Sequence, residues 1–338
     1  MSILKKIKDF IKKHIGKIKV ISLIGLIVIV LIPVSYYSLS YFAITNFKTY
    51  ESNLIIDKEN NVLLCKEDKD VKILHISDIQ IDNYKEAIDP FKKIKKLISK
   101  TTPDLIVLTG DNLDNSGEVK HVKKLASFMD SFNIPWAPVY GNHDYWAEAG
   151  IKNQNEIYEN SKYCLFKTGD VINSNGNYYY SIKYQNTTKQ LLIFMDSKEK
   201  GFSKEHTIWY EKVINDEAIK ENEIIQSMLF FHIPIYELSL AYDQYLINPS
   251  VGSGFIKEPL SLQEENVGLF DKIVLLQSSK FIAFGHDHVN TLQIKYKDVM
   301  FCYGLKTGFT SYYDKDIQGG CVYTIKGNNE ISLNRIYL

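Results

Sequence analysis

The chain has no surplus of charge of either sign: Lys+Arg and Asp+Glu number 40 each in 338 residues. Neither nucleic acid nor an acidic partner is called for by that balance, and no basic, aromatic-laced groove is written into the sequence. Arginine is almost absent while lysine, isoleucine, asparagine and tyrosine are abundant, a bias that carries no functional reading. Cysteine is scarce. Cys65, Cys164, Cys302 and Cys321 lie far apart without a C-x-x-C pair, which argues against a zinc knuckle. Two states stay open for them: buried free thiols, or a disulfide outside the cytoplasm whose pairing the sequence does not reveal. After residue 71 there is neither an internal repeat nor a low-complexity linker, so a chain of this length reads as one large domain or two smaller ones.

One local asymmetry stands out against the neutral whole. Residues 1–19 carry Lys5, Lys6, Lys8, Lys12, Lys13, Lys17 and Lys19 against the single acid Asp9. Residues 20–44 then contain no charged side chain, enough for the roughly 20 residues that cross a bilayer core. Tyr36, Tyr37, Tyr41 and Phe42 suit the far interface, and the positive-inside rule leaves the lysine tail in the cytoplasm. The expectation is a basic cytoplasmic tail at 1–19, one transmembrane helix at 20–44 and an extracytoplasmic remainder. A cleaved signal peptide is the alternative, but no A-x-A cleavage pattern is present. Residues 45–70 read as a stalk leading into a first strand.

From residue 71 the pattern changes. "VKILHIS" and "PDLIVLTGD" are short apolar runs, separated by "YKEAIDPFKKIKKLISK", whose helical spacing is broken early by Pro90. "EVKHVKKLASFMDSF" repeats the helical period and "IPWAPVYGNHD" supplies a third strand, so strands alternate with helices and a parallel arrangement follows. "NYYYSIKY" and "QLLIFMDS" read as a hairpin, and "IIQSMLFFHIP", "KFIAFGHDH", "VMFCYGL" and "GCVYTI" as further strands. That many strands fit an α/β sandwich of two mixed sheets better than one doubly wound sheet.

Polar residues cluster where the strands stop. Asp78 and Gln80 follow the first, Asp111 and Asp114 the second, Asn142, His143 and Asp144 the third, His232 a later one, and His286 and His288 another. Ligands of open α/β sheets gather at strand carboxyl ends, so these clusters can converge. Taken singly, each has a plainer reading as a turn residue, a helix cap or a hydrogen-bonded core histidine. Together, carboxylates, an amide and imidazoles suit divalent first-row metals, and a central aspartate can bridge two ions. His14, His121 and His206 read as solvated or locally bonded, and His75 as core.

The series "SDIQ", "GDNLD", "GNHD", "FHIP" and "GHDHVN" resembles the calcineurin-like metallophosphoesterase superfamily over residues 71–338. Longer stretches such as "INPSVGSGF" are similar to the branch holding yeast Dcr-type phosphatases and small plant enzymes grouped with purple acid phosphatases. The resemblance implies a four-layer sandwich, two mixed sheets flanked by helices, binding two divalent metal ions among Mn, Fe, Zn or Mg. It makes Asp78 and His288 ligands of the first metal, Asp111 the bridge, and Asn142, His232 and His286 ligands of the second. His143 would act as general acid or charge stabiliser at the scissile phosphate, oriented by Asp114. Gln80 departs from the usual D-x-H pattern; as a ligand it would bind through its carbonyl oxygen and tilt the first site toward Mn2+, Mg2+ or Fe2+. Asp114 stands where coloured purple acid phosphatases carry a tyrosine, so no purple colour is expected.

The implied activity is hydrolysis of phosphate esters by a metal-activated hydroxide, on a small molecule or, given the anchor, a lipid head group. Phosphomonoesterase, phosphodiesterase and head-group hydrolase stay open. So does a second class: a metal- or ligand-binding domain of the same fold that has lost catalysis, with Gln80 as its mark.

Overall fold

The computed structural model describes residues 9, 12, 13, 49–82, 84–171 and 173–338, and residues 48–338 form one unit. The expected transmembrane helix at 20–44, and all but three residues of the basic tail, lie outside the described residues. Among those described, no helix is long and apolar enough to cross a membrane.

The elements run β1 (Leu54–Asp57), β2 (Val62–Cys65), β3 (Val71–Ile76), α1 (Tyr84–Thr101), β4 (Leu105–Thr109), α2 (Val119–Asp130) and β5 (Trp136–Val139). Next come α3 (Asn142–Trp146), α4 (Ile151–Glu159), β6 (Tyr178–Tyr184), β7 (Thr187–Phe194), α5 (Lys204–Glu221), β8 (Ser227–Phe230), α6 (Glu237–Ile247) and β9 (Gly252–Ser253). The chain closes with α7 (Leu269–Leu276), β10 (Ser279–Phe284), β11 (Gln293–Tyr296), β12 (Val299–Tyr303), β13 (Gly319–Ile325) and β14 (Ile331–Tyr337).

Two mixed sheets result, as expected. The smaller has the order β14-β13-β3-β4-β5 and the larger β1-β2-β6-β7-β8-β10-β12-β11-β9. In the first, β3, β4 and β5 are parallel; in the second, β7, β8, β10 and β12 are parallel. β4, the sequence LIVLT, is buried at every position, as a strand between parallel neighbours should be. β5 carries Pro138, which a ladder tolerates because β5 is an edge strand.

Between the sheets lies an aromatic core. Tyr178, Phe194 and Phe230 stack in sequence at 4.7 and 5.4 Å, and the Tyr178 hydroxyl reaches the Pro138 carbonyl of the other sheet at 2.7 Å. Each buried apolar side chain of this size contributes roughly 1.5–3 kcal/mol. The far face of the large sheet buries Leu229, Phe231 and Phe301 against Tyr210 and Val213 of α5 and Phe270 and Ile273 of α7. On the small sheet, Phe91 of α1 stacks on Phe128 of α2 at 4.1 Å.

Two expectations are revised, and of the two states left open for the cysteines one is found. Of the segment expected as a stalk with one strand, the described residues 49–70 carry two: β1 and β2 form an antiparallel pair on the edge of the large sheet, and Ser52 and Asn53 bond to Asp104 at 2.7 and 2.9 Å. The alternation of buried Leu63 and Cys65 around exposed Leu64 is the period-two signal that the charged surroundings obscured. Pro90 does not break its helix, because in the second turn it removes one backbone bond near the start and the remaining turns continue. All four cysteines are free and buried.

Candidate metal centre

The carboxyl ends of β3, β4 and β5 from one sheet and of β8, β10 and β12 from the other meet at one end of the sandwich. Their loops interlock through backbone bonds: Asp78 N–H to the Gly110 carbonyl (3.2 Å), Gln80 N–H to Asp111 (2.8 Å), Gly285 N–H to His232 (3.1 Å) and Thr307 N–H to Ser77 (3.0 Å). The chain turns sharply to do this. Asp78, Gln80, Asp111 and His286 have φ of 53, 50, 49 and 78°, a left-handed conformation that costs an ordinary side chain about 1–2 kcal/mol. Four such residues at one cluster mark a site held in place by its surroundings. Gly110, at φ 84°, leaves room for His232: a Cβ there would stand 2.6 Å from the imidazole.

Asp78, Asp111 and His232 are buried and offer ligand atoms all within 4.8 Å of one another. The donors expected for the second cation converge. His232 Nε2 lies 3.3 Å from Asp111 Oδ1 and 3.3 Å from His286 Nδ1, and the Asn142 Oδ1 atom is buried without a hydrogen-bond partner. Asn142 is flanked by Gly141, which packs on Asp111 and His232, and by His143, whose N–H bonds to Asp111, so its orphaned amide oxygen, two imidazoles and a carboxylate form the donor set a divalent first-row ion takes, and these residues fit one. His232 Nδ1, 2.7 Å from the Thr109 carbonyl, carries the proton that leaves Nε2 facing inward. Burial opposes charge on His232, but the carboxylates of Asp111 and Asp78 lift it to about 9. Burial and the neighbouring His232 push His286 down to about 4.

At the first position Asp78 Oδ1 is buried, 3.5 Å from His288 Nε2, and otherwise unbonded. Burial would raise the Asp78 pKa, yet the His288 contact and the charges of His232, His288 and Lys306 hold it well below the carboxylate range. Its other oxygen is held from behind by a chain of single polarity. Ser77 Oγ donates to Asp78 Oδ2 (2.6 Å), Thr109 Oγ1 donates to Ser77 Oγ (3.0 Å), and His75 Nε2 lies 2.6 Å from Thr109 Oγ1. The Tyr323 hydroxyl closes the chain, 3.2 Å from His75 Nδ1. His75 is thus core, as expected, and also supports Asp78.

Gln80 does not behave as expected of a ligand. Its Oε1 accepts from Lys306 Nζ at 2.5 Å, and its Nε2 lies 3.4 Å from Asp111 Oδ2. The carbonyl oxygen needed for a cation is engaged by an ammonium, so Gln80 as placed is corrected from ligand to hydrogen-bonding neighbour.

His143 sits beside the cluster and its backbone N–H donates to Asp111 Oδ1 at 2.9 Å. Its Nδ1 lies 3.2 Å from Asp114 Oδ1 and 2.7 Å from Asn115 Oδ1, both acceptors, so the proton is on Nδ1 and Nε2 faces the cluster, 3.9 Å from Asp111 Oδ2. Burial works against a charged His143, but the Asp114 hydrogen bond and the Asp111 charge outweigh it and raise its pKa. The same bond lowers that of Asp114.

Other residues do quieter work. Asp287 secures its loop, accepting from the Tyr303 hydroxyl at 2.5 Å and Asn290 Nδ2 at 3.0 Å. His121 and His206 are locally bonded at helix starts. Sequence reasoning passed over Asn115, Lys306 and the role of Asp144. Buried Asp144 ties two loops together by accepting from the N–H groups of Gly141 (2.9 Å), Leu113 (2.9 Å) and Asn112 (3.2 Å), while burial and the Asp111 charge push it up to about 7. Lys306 lies three residues past the end of β12, where the strand-end rule points, but one lysine in so lysine-rich a chain carries no signal of its own.

Oxygen and imidazole donors at the strand ends of two facing mixed sheets define an α/β sandwich built around a metal-type centre. Residues 71–290 match the model of the calcineurin-like phosphoesterases, and the chain belongs to that family. It is 24% identical over 303 residues to "Probable inactive purple acid phosphatase 28" of Arabidopsis thaliana, covering 75% of this chain and 74% of the relative. With "Phosphatase DCR2" of Saccharomyces cerevisiae it shares 26% identity over 69% of this chain, spanning 47% of that protein's length. In fold it is similar to "GAP50 the anchor in the inner membrane complex of Plasmodium", with a TM-score of 0.50, 15% identity, and coverage of 80% and 85% of the two chains.

Proposed function

We propose that this chain hydrolyses phosphate esters with the help of divalent metal, and that a single membrane-spanning segment at residues 20–44 holds the catalytic unit outside the cytoplasm. The tether and its orientation rest on the lysine tail and the uncharged run that follows it. The observation that carries the activity is the meeting of Asp78, Asp111 and His232 with the unpartnered Asn142 oxygen, beside a histidine already oriented by an aspartate.

A bound divalent cation supplies positive charge against phosphate oxygens and lowers the pKa of water. Asp111, Asn142, His232 and His286 would hold it. His143 does the work the protein itself can do. Its Nδ1 proton is fixed by Asp114 and Asn115, so Nε2 presents toward the substrate; with its pKa raised, the imidazolium form can deliver a proton to the departing ester oxygen near neutral pH. The lowered Asp114 pKa keeps that carboxylate ionised opposite it.

The second reading is a binding domain without turnover. What favours it is Gln80, whose oxygen faces a lysine, together with the similarity to a plant relative named "Probable inactive purple acid phosphatase 28". Hydrolysis of a chromogenic phosphomonoester and of its diester analogue, with Mn2+ and with chelator, separates the two. We expect metal-dependent turnover reduced about 100- to 10,000-fold in His143→Ala, the range of general acid catalysis. The ester preferred narrows the substrate class, with a phospholipid head group as a third arm. A folded, metal-loaded protein inert toward all three refutes the hydrolase reading.

A further inference from the structure

The Gln80 side chain sits between a group that can only donate and a group that can only accept. Lys306 Nζ contacts Oε1 at 2.5 Å; Asp111 Oδ2 faces Nε2 at 3.4 Å. Both contacts demand the same amide orientation, since the flipped amide would set N–H bonds against an ammonium and an oxygen against a carboxylate. The orientation therefore follows from the neighbours' chemistry. It turns the amide nitrogen, which is no ligand for a hard cation, toward the metal centre.

Lys306 is fixed as firmly as its partner. Only 2% of its surface is exposed, its Nζ otherwise reaches the Asp78 carbonyl at 3.4 Å, and its backbone runs beside the first loop in a parallel bridge with Ser77. Thr307 and Gly308 continue that zipper, their N–H groups bonding to Ser77 and Asp78 at 3.0 and 3.1 Å. Freeing the Gln80 oxygen for a cation would strand a buried ammonium beside a second positive charge. The charge balance points the same way. Asp78 and Asp111 bring two negative charges, which one divalent ion neutralises, and the lysine leaves net positive charge for an anionic ester.

We propose that the Lys306–Gln80 pair stands in for one cation of the dinuclear arrangement: the chain binds a single divalent ion, at Asp111, Asn142, His232 and His286, and Lys306 supplies the fixed positive charge on the opposite side. Lys306 is thereby a positioning residue that shapes the centre through Gln80. This inference rests on the metal-dependent reading of the site given above.

The test counts ions. Full-length protein is loaded with Mn2+, freed of excess and assayed for metal per chain by mass spectrometry, with the electron paramagnetic resonance spectrum recorded alongside. The wild type is expected to hold about one ion with an uncoupled, single-ion spectrum. Replacing the pair, Lys306→Met with Gln80→His, is expected to raise the count to about two and to produce exchange coupling between neighbouring ions. Two coupled ions in the wild type overturn the proposal whether or not the variant folds, and ester turnover in that sample would leave the hydrolase reading intact. One ion in both proteins overturns the role given to Lys306. A folded wild type that binds no ion overturns this inference and the reading beneath it together.

Discussion

The two halves of the metal centre are built from the same kind of part, a strand-end loop locked in a left-handed turn, yet they present opposite chemistry. Around Asp111, Asn142, His232 and His286 only ligand-type atoms face inward, and each half keeps one buried oxygen without a hydrogen-bond partner, Asn142 Oδ1 here and Asp78 Oδ1 in the other. Around Asp78 and His288 an ammonium has entered the shell and taken the amide oxygen of Gln80. On the single-ion proposal, one side chain changes what its half of the site can hold, on a loop whose φ of 50° at Gln80 matches the 49° of Asp111 in the other half. A family scaffold fixes where side chains converge; the side chains decide how many cations converge with them.

Removing one imidazole from each half tests that contrast most severely. His232→Ala should cost more than about 100-fold in turnover and most of the bound metal, beyond the 10- to 100-fold typical of losing an outer-shell partner. His288→Ala should cost about tenfold and leave the metal content near that of the wild type, because its partner Asp78 is also held by Ser77. Steady-state kinetics with metal analysis reads both. Equal losses of metal in the two variants would erase the distinction between the halves.

The contrast also marks where the sequence was legible. Strand ends carrying Asp, Asn and His announced the centre because hard and imidazole donors at five loop positions have few other joint explanations, and β4 and the β6–β7 hairpin followed from apolar run and turn. Gln80 could be seen as a departure but not as a non-ligand, since its meaning depends on Lys306, 226 residues away in sequence. Lysine is too common in this chain for one to stand out. The β1–β2 pair was hidden differently: its strands are four residues each, and charged neighbours mask the alternation. Asp144 and the chain from Tyr323 through His75 to Asp78 are tertiary facts, set by sheet register, which no local pattern encodes.

A smaller effect separates the flank of the centre from its ligands. Asp114→Asn keeps the shape beside His143 Nδ1 but removes the charge that raises the imidazole pKa. Turnover should fall about 10- to 100-fold with metal content unchanged. The sign of the pH effect is fixed: the acid form of His143 persists to higher pH while Asp114 is ionised, so the alkaline limb of the rate profile moves to lower pH in the variant. A profile superimposable on the wild type would remove Asp114 from the mechanism.

The smallest effect lies behind the first half alone. Only Asp78 is backed by the Ser77–Thr109–His75 chain, and that chain runs in one direction while His75 is neutral with its proton on Nε2. Burial pushes the His75 pKa down to about 3, against about 6.5 in an unfolded chain. Between those values the unfolded state binds more protons than the native one, so stability is lost as pH falls through this window. From pH 6.5 to 5 the loss attributable to His75 should be on the order of 1–2 kcal/mol, the slope rising from half to nearly the full value of about 1.4 kcal/mol per pH unit across that interval. Urea unfolding in chelator, for wild type and His75→Gln, isolates it: the variant starts less stable, yet its stability should decline less on acidification. His206, held down to about 4 by burial, adds a parallel slope to both proteins and drops out of the difference. Identical slopes would mean that the imidazole is already charged in the native core, and the polarity of the chain supporting Asp78 would then be reversed at its root.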